Sequence, residues 1–268
     1  MLSNAQQSAD FIKVLSSTLA SNNLSSISIT CCDATGWNVQ SGFTTGLIQA
    51  GVGPLFRIIS SHAYTSQLGS PQPSTQHKTW QTEYADLNGQ WSTAWYSNGG
   101  AGDGFTWATY VHNALTTSNC SAYLYWEGVQ WANPNTNEKL IRIDGQNVAV
   151  SKRLWALAGY SRWIRPGAVR ISATSSGNLR SSAFKNADGS VIVVVLNSGT
   201  GAANINLALT GGFTPTVGKA YVVDSTRDLA EITATLGTAG VTASLPARSL
   251  VSFVLAAGNG TVRTWASR

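Results

Sequence analysis

Lys78-Thr79-Trp80-Gln81-Thr82-Glu83-Tyr84 is the stretch from which the rest of the chain is read. Thr79, Trp80, Thr82 and Tyr84 are β-branched or aromatic, which favours an extended strand. The strand runs out near Glu83, because Asp86, Asn88 and Gly89 are turn formers. A carboxylate at the carboxyl end of a strand, beside aromatic rings, is where an α/β barrel places its chemistry. The alternative is that Glu83 only caps or pairs locally.

Working outward, helix and strand patterns alternate up to about residue 164. Residues 4–19 read as an amphipathic helix with Phe11, Ile12, Leu15 and Leu19 on one side and Ser3 or Asn4 as its cap. Residues 24–30 alternate and read as a strand that leads into Cys31-Cys32-Asp33 and Trp37. A helix over 41–50 and a near-continuous apolar strand over 55–60 follow, the latter ending at Ser61-His62-Ala63-Tyr64. After the Glu83 strand comes a Gly- and Trp-rich loop over 89–104 that holds Trp91, Trp95 and Tyr96. A helix over 104–116, a strand over 122–129 ending near Glu127, and a helix over 152–163 complete this part. Such alternation predicts parallel strands joined by helical crossovers. Beyond Pro166 the texture changes to short strands separated by turn signals such as Asp188-Gly189 and Gly211-Gly212. That predicts an antiparallel β-domain of about a hundred residues.

Composition narrows the function. Charged residues make up 11% of the 268 residues, against about a quarter in an ordinary domain, while Gly (26) and Trp (10) are abundant. Solubility then rests on hydroxyls and amides, a texture suited to carbohydrate contact. The formal charge is +5, but Lys and Arg form no basic stripe interleaved with aromatics, which argues against nucleic acid. No apolar run is long enough to span a membrane. The three His do not cluster and no metal-ligand spacing is visible, so no metal or cofactor is expected. Cys31, Cys32 and Cys120 are an odd set, and a bridge from Cys120 to one of the pair is one open pairing. Sequons at Asn23, Asn119 and Asn259 fit a secretory route, although residues 1–4 lead straight into a helix with no signal-peptide pattern.

Several segments together resemble glycoside hydrolase family 30 in its fungal branch. Trp80-Gln81-Thr82-Glu83-Tyr84-Ala85-Asp86-Leu87 is similar to the family's nucleophile strand, and Ser61-His62-Ala63-Tyr64 to the His-x-Tyr end of the strand before it. Residues 154–168 resemble the last barrel helix and its link to the side domain, and Leu245-Pro246-Ala247-Arg248-Ser249-Leu250 resembles that domain's closing strand. The resemblance implies an α/β plus all-β fold. Residues 1–165 would be the C-terminal half of a (β/α)8 barrel, strands five to eight, and residues 166–268 a β-sandwich. It further implies a truncated reading of a longer gene or an expressed half-barrel, because the family's Asn-Glu-Pro acid/base motif is absent and Asn137-Glu138 lacks the Pro.

In that family Glu83 would be the nucleophile of a retaining endo-β-glycanase acting on xylan or β-1,6-galactan, with His62 and Tyr64 beside it. Trp126, Trp91 and Trp37, at strand ends or in loops, are candidate platforms for stacking sugar rings. Glu127 is a candidate substrate contact. Asp33, Asp86 and Asp103 read as loop caps or sugar contacts, and Trp107, Trp155 and Trp163 as core. The implied partner is a polysaccharide, and the full-length protein is expected to be secreted and monomeric. The second reading is a catalytically inactive fragment or carbohydrate-binding remnant, whose open sheet edges predict self-association.

Overall fold

The computed structural model describes residues 3–72, 76–238 and 240–257. The Asn259 sequon lies outside them. The chain forms two compact units, residues 1–87 with 111–128 and residues 88–110 with 129–268. Segments 88–110 and 129–165 group with the sandwich, so the units cut across the sequence boundary at residue 165.

The first unit opens on α1 (Ala5–Ser21), started by a capping box in which Asn4 and Gln7 exchange side-chain and backbone hydrogen bonds. Ala9 and Ile12 are buried, whereas Phe11 is 63% exposed and drops out of the expected apolar stripe. α2 (Trp37–Gln49) crosses α1 closely: a Cβ on Gly46 would sit 2.4 Å from that of Ala5. Four strands form one sheet in the order β1 (Thr30–Ala34), β2 (Ile58–His62), β3 (Lys78–Glu83) and β4 (Ala122–Tyr123), every pair parallel. Ala9, Ile12, Ile29, Trp37, Leu47 and Phe56 make up much of its core. β2 is buried along four of its five residues, Ile58 and Ile59 together with the small Ser60 and Ser61. α3 (Gly104–Thr116) precedes β4, but the β2–β3 connection carries no helix among its described residues.

Two strand readings shift. Leu24 and Ile27 are exposed in turns, and the strand forms only from Thr30, where Cys31 turns into the core. The fourth strand has two ladder residues instead of eight. Its backbone nevertheless follows β3 further, since the N–H of Leu124 donates to Gln81 O (2.8 Å) and that of Trp126 to Tyr84 O (3.2 Å). The cysteine pairing also differs from the open alternative: Cys31 bridges its neighbour Cys32, and Cys120 is free and buried. Burial pushes the Cys120 thiol up to about 12, so almost none is thiolate near neutrality. Iodoacetamide at pH 8 should therefore leave Cys120 unlabelled in the native protein and label it after unfolding, as read by peptide mass.

In the second unit, β5 (Val129–Trp131), β6 (Ile141–Asp144) and β7 (Asn147–Val150) form a small sheet absent from the sequence reading, followed by α4 (Lys152–Ser161). The β-domain expectation holds. β8 (Val169–Ile171), β9 (Leu179–Lys185) and β10 (Val191–Asn197) join β12 (Val217–Val223), β13 (Asp228–Ile232) and β16 (Ser249–Ala256) in a six-stranded antiparallel sheet. β11 (Ala203–Leu207), β14 (Ala234–Gly237) and β15 (Gly240–Leu245) form a three-stranded antiparallel sheet. Between them Val193, Val195, Val222, Val251 and Phe253 pack as one apolar core. β10 and β16 are buried at every residue, which explains the apolar run from Val191 to Leu196 and why β16 is apolar apart from the small Ser249 and Ser252.

Candidate active site

The carboxyl ends of the four parallel strands gather the chemistry-bearing residues of the first unit. Glu83 is the last residue of β3 and pairs with His62, the last residue of β2. A register shift between Ser61 and His62 brings these two into line. Nδ1 of His62 lies 3.5 Å from Oε1 of Glu83, and both side chains are only about a fifth exposed (20% and 22%). The His62 ring meets Tyr64 edge-on, and Tyr64 meets Tyr84 edge-on, each at 5.8 Å between centroids. An aromatic wall thus stands beside the carboxylate on the β2 side.

Below Glu83 the strand is pinned by a residue that sequence reading overlooked. Gln81 is buried, its amide N–H donates to the carbonyl of Glu83 (2.8 Å), and its Oε1 accepts the indole N–H of Trp37 (2.6 Å). A Gln on the core-facing side of a strand was the available signal, since a buried amide needs partners. Trp37 is 2% exposed and lies in the core. Its ring supports Gln81, and no face is open for a sugar, which corrects the platform expectation. Thr82 leans the other way, donating to Asp33 Oδ1 (2.6 Å), so Asp33 ties the end of β1 to the end of β3. Asp33 itself holds a left-handed backbone (φ 53°), a conformation that Asp adopts more readily than most residues.

Trp126 and Glu127 follow β4 at the same edge of the sheet. Trp126 is 45% exposed, so part of its ring is open to a ligand. Glu127 is half-buried. Chemically the edge offers one carboxylate facing an imidazole, an aromatic wall and an exposed indole. Among the described residues no group of three or more His, Cys, Asp or Glu could hold a metal ion. No described helix is long and apolar enough to cross a membrane.

Residues 167–253 match the glycosyl hydrolase family 30 beta sandwich domain. The catalytic domain of GH30 xylanase C from Talaromyces cellulolyticus superimposes with a TM-score of 0.88 at 40% identity, over 96% of this chain and 58% of that one. The chain is similar to glycoside hydrolase family 30. Glucuronoxylanase XynC of Bacillus subtilis (strain 168) is 28% identical over 213 residues, 74% of this chain and 46% of XynC. The chain spans about half the length of the curated relatives it matches. A family 30 subfamily 8 xylanase from Clostridium acetobutylicum, 23% identical with a TM-score of 0.74 over 95% of this chain and 61% of its own, shares the fold.

The remaining platform candidate, Trp91, belongs to the second unit. Fully buried Arg153 stacks on it at 5.2 Å from the ring centroid. That guanidinium donates to the carbonyls of Ser92 (2.9 Å), Gly102 (2.7 Å) and Lys139 (3.1 Å), which fixes the loop carrying Trp91.

Proposed function

We infer that this chain carries the nucleophile side of a retaining β-glycanase of family 30 that acts on xylan. The observation that carries the reading is Glu83 at the carboxyl end of β3, 3.5 Å from His62 at the end of β2. In a retaining mechanism such a carboxylate attacks the anomeric carbon and a second carboxyl group, about 5.5 Å away, protonates the leaving oxygen and then activates water. His62 faces the carboxyl group of Glu83, and Gln81 and Thr82 fix the strand end from which Glu83 attacks. The four parallel strands correspond in this reading to strands five to eight of the family's (β/α)8 barrel. The acid/base then lies outside the residues of this chain. Relatives named as xylanases favour xylan over β-1,6-galactan. The whole protein would work outside the cell, as a monomer on a polysaccharide.

The test follows from the chemistry. A nucleophile without its acid/base still accepts a glycosyl group from a donor whose leaving group needs no protonation. The chain should release dinitrophenol from an aryl β-xylobioside in a reaction that azide accelerates, while leaving polymeric xylan almost untouched. No release, or release unaffected by Glu83→Gln, would overturn the assignment.

Trp126 serves in this reading as a sugar platform. Trp126→Ala should raise KM for the aryl xylobioside about tenfold with a smaller change in kcat, because stacking lost equally from substrate and transition state is uniform binding. Steady-state kinetics check this. An unchanged KM would remove Trp126 from the site.

A further inference from the structure

The sandwich carries a groove of about 900 Å³ that plays no part in the chemistry around Glu83. Its polar side comes from the exposed positions of two paired strands. On β11, Asn204 and Asn206 alternate outward, and across the ladder they face Ser244 and Thr242 of β15. Thr242 in turn faces Thr235 of β14. Amides and hydroxyls thus stand in rungs two residues apart, each able both to donate and to accept. Ile205 and Ala243 alternate with these positions and turn to the opposite face, where they pack with Ile232 against the sandwich core, so the rungs stand on a rigid sheet.

The groove also contains two charged side chains, and both are already neutralised from within. Nε and Nη2 of Arg227 bind Asp224, whose carboxyl burial would raise but Arg227 and Thr226 hold below the usual carboxylate range. Glu231 pairs with Lys219 at 3.0 Å. Neither charge is left to select an anion or a cation. What the groove presents is therefore net-neutral: rungs of hydroxyls and amides. A sugar chain has the matching character, with hydroxyls along its edges that both donate and accept.

We propose that this groove is an ancillary binding site for a neutral polysaccharide strand, separate from the residues that carry the chemistry. The choice of a glycan rests on the family reading above. With no aromatic platform in it, the groove holds its ligand by hydrogen bonds, so binding is weak for short oligosaccharides and gains on polymers, where many registers are equivalent.

The experiment uses the whole 268-residue chain and soluble unsubstituted xylan. Affinity electrophoresis reads retention, and hydrogen exchange reads protection at β11 and β15. Xylan should retard the protein and slow exchange at both strands. The double variant Asn204→Ala/Asn206→Ala, altered only at exposed positions, should lose about tenfold in affinity. Its unfolding midpoint and its turnover of the aryl xylobioside should stay unchanged. No xylan-dependent protection at these strands, protection that survives the double variant, or a preference for a phosphorylated ligand over xylan would each overturn the proposal. Glu83→Gln separates the two readings, because it leaves the groove intact. Protection without Glu83-dependent turnover would remove the nucleophile assignment and keep the groove, and turnover without protection would do the reverse.

Discussion

Replacing Glu83 with Gln is expected to lower xylosyl release from an activated aryl xylobioside by about 10³-fold or more, the scale on which removing a catalytic group acts. The amide keeps the shape of the side chain and its place opposite His62, but it cannot form the glycosyl–enzyme bond. The fold should be indifferent to the change. The side chain is 22% exposed and ends a strand whose hold comes from Gln81, Thr82 and the parallel ladder. An unaltered unfolding midpoint together with lost turnover would place the effect in the chemistry. A drop in the midpoint large enough to explain the lost turnover would make Glu83 structural instead.

The largest stability effect is expected in the other unit, at Asp103. Its carboxylate is 2% exposed and accepts four hydrogen bonds: the Ser97 N–H (2.9 Å) and hydroxyl (2.7 Å), and the N–H groups of Asn98 (3.1 Å) and Gly99 (2.8 Å). Its own carbonyl accepts the first N–H groups of α3, so one residue both starts the helix and folds the preceding loop back on itself. Asp103→Ala strands several buried donors at once and should cost about 3 kcal/mol, read as a shift in the urea midpoint. Burial alone would raise the Asp103 pKa, but the bonds from Ser97, Gly99 and Asn98 outweigh it and the pKa is lowered in the folded state. A group whose folded pKa is depressed adds stability above its unfolded value, near 3.8, and loses it as pH falls through the folded value. The wild type should therefore lose this contribution below about pH 3.8, and Asp103→Asn should flatten the stability profile over that window. If the two profiles stay parallel there, Asp103 is not the group responsible.

Much of this was readable in the chain itself because it rests on local chemistry. The apolar runs of β10 and β16, the Asn4 cap and the Glu83–His62 pairing at adjacent strand ends each follow from residues close in sequence or from the resemblance to a family motif. What escaped depends on distant partners. Trp37 resembles a surface ring until Gln81, forty-four positions later, is found accepting its N–H. Asp103 read as one of several loop acids, and only the fold shows it encircled by donors from 97–99. The β5–β7 sheet did leave a signal that went unread. Ile141-Arg142-Ile143-Asp144-Gly145 alternates into an Asp-Gly turn, the usual mark of a hairpin. The strand expected at 24–30 failed for the opposite reason: only Ile27 and Ile29 keep the two-residue period, and Leu24 and Ile27 have no core to face.

The most direct measurement of the central claim is covalent capture. The chain would be incubated with a 2-fluoro β-xylobiosyl donor carrying a dinitrophenyl leaving group, digested, and its peptides weighed. The account predicts a single adduct of one fluoro-xylobiosyl unit on the peptide containing Glu83, absent from Glu83→Gln. An adduct on another residue, or an intact donor with no label anywhere, would contradict it.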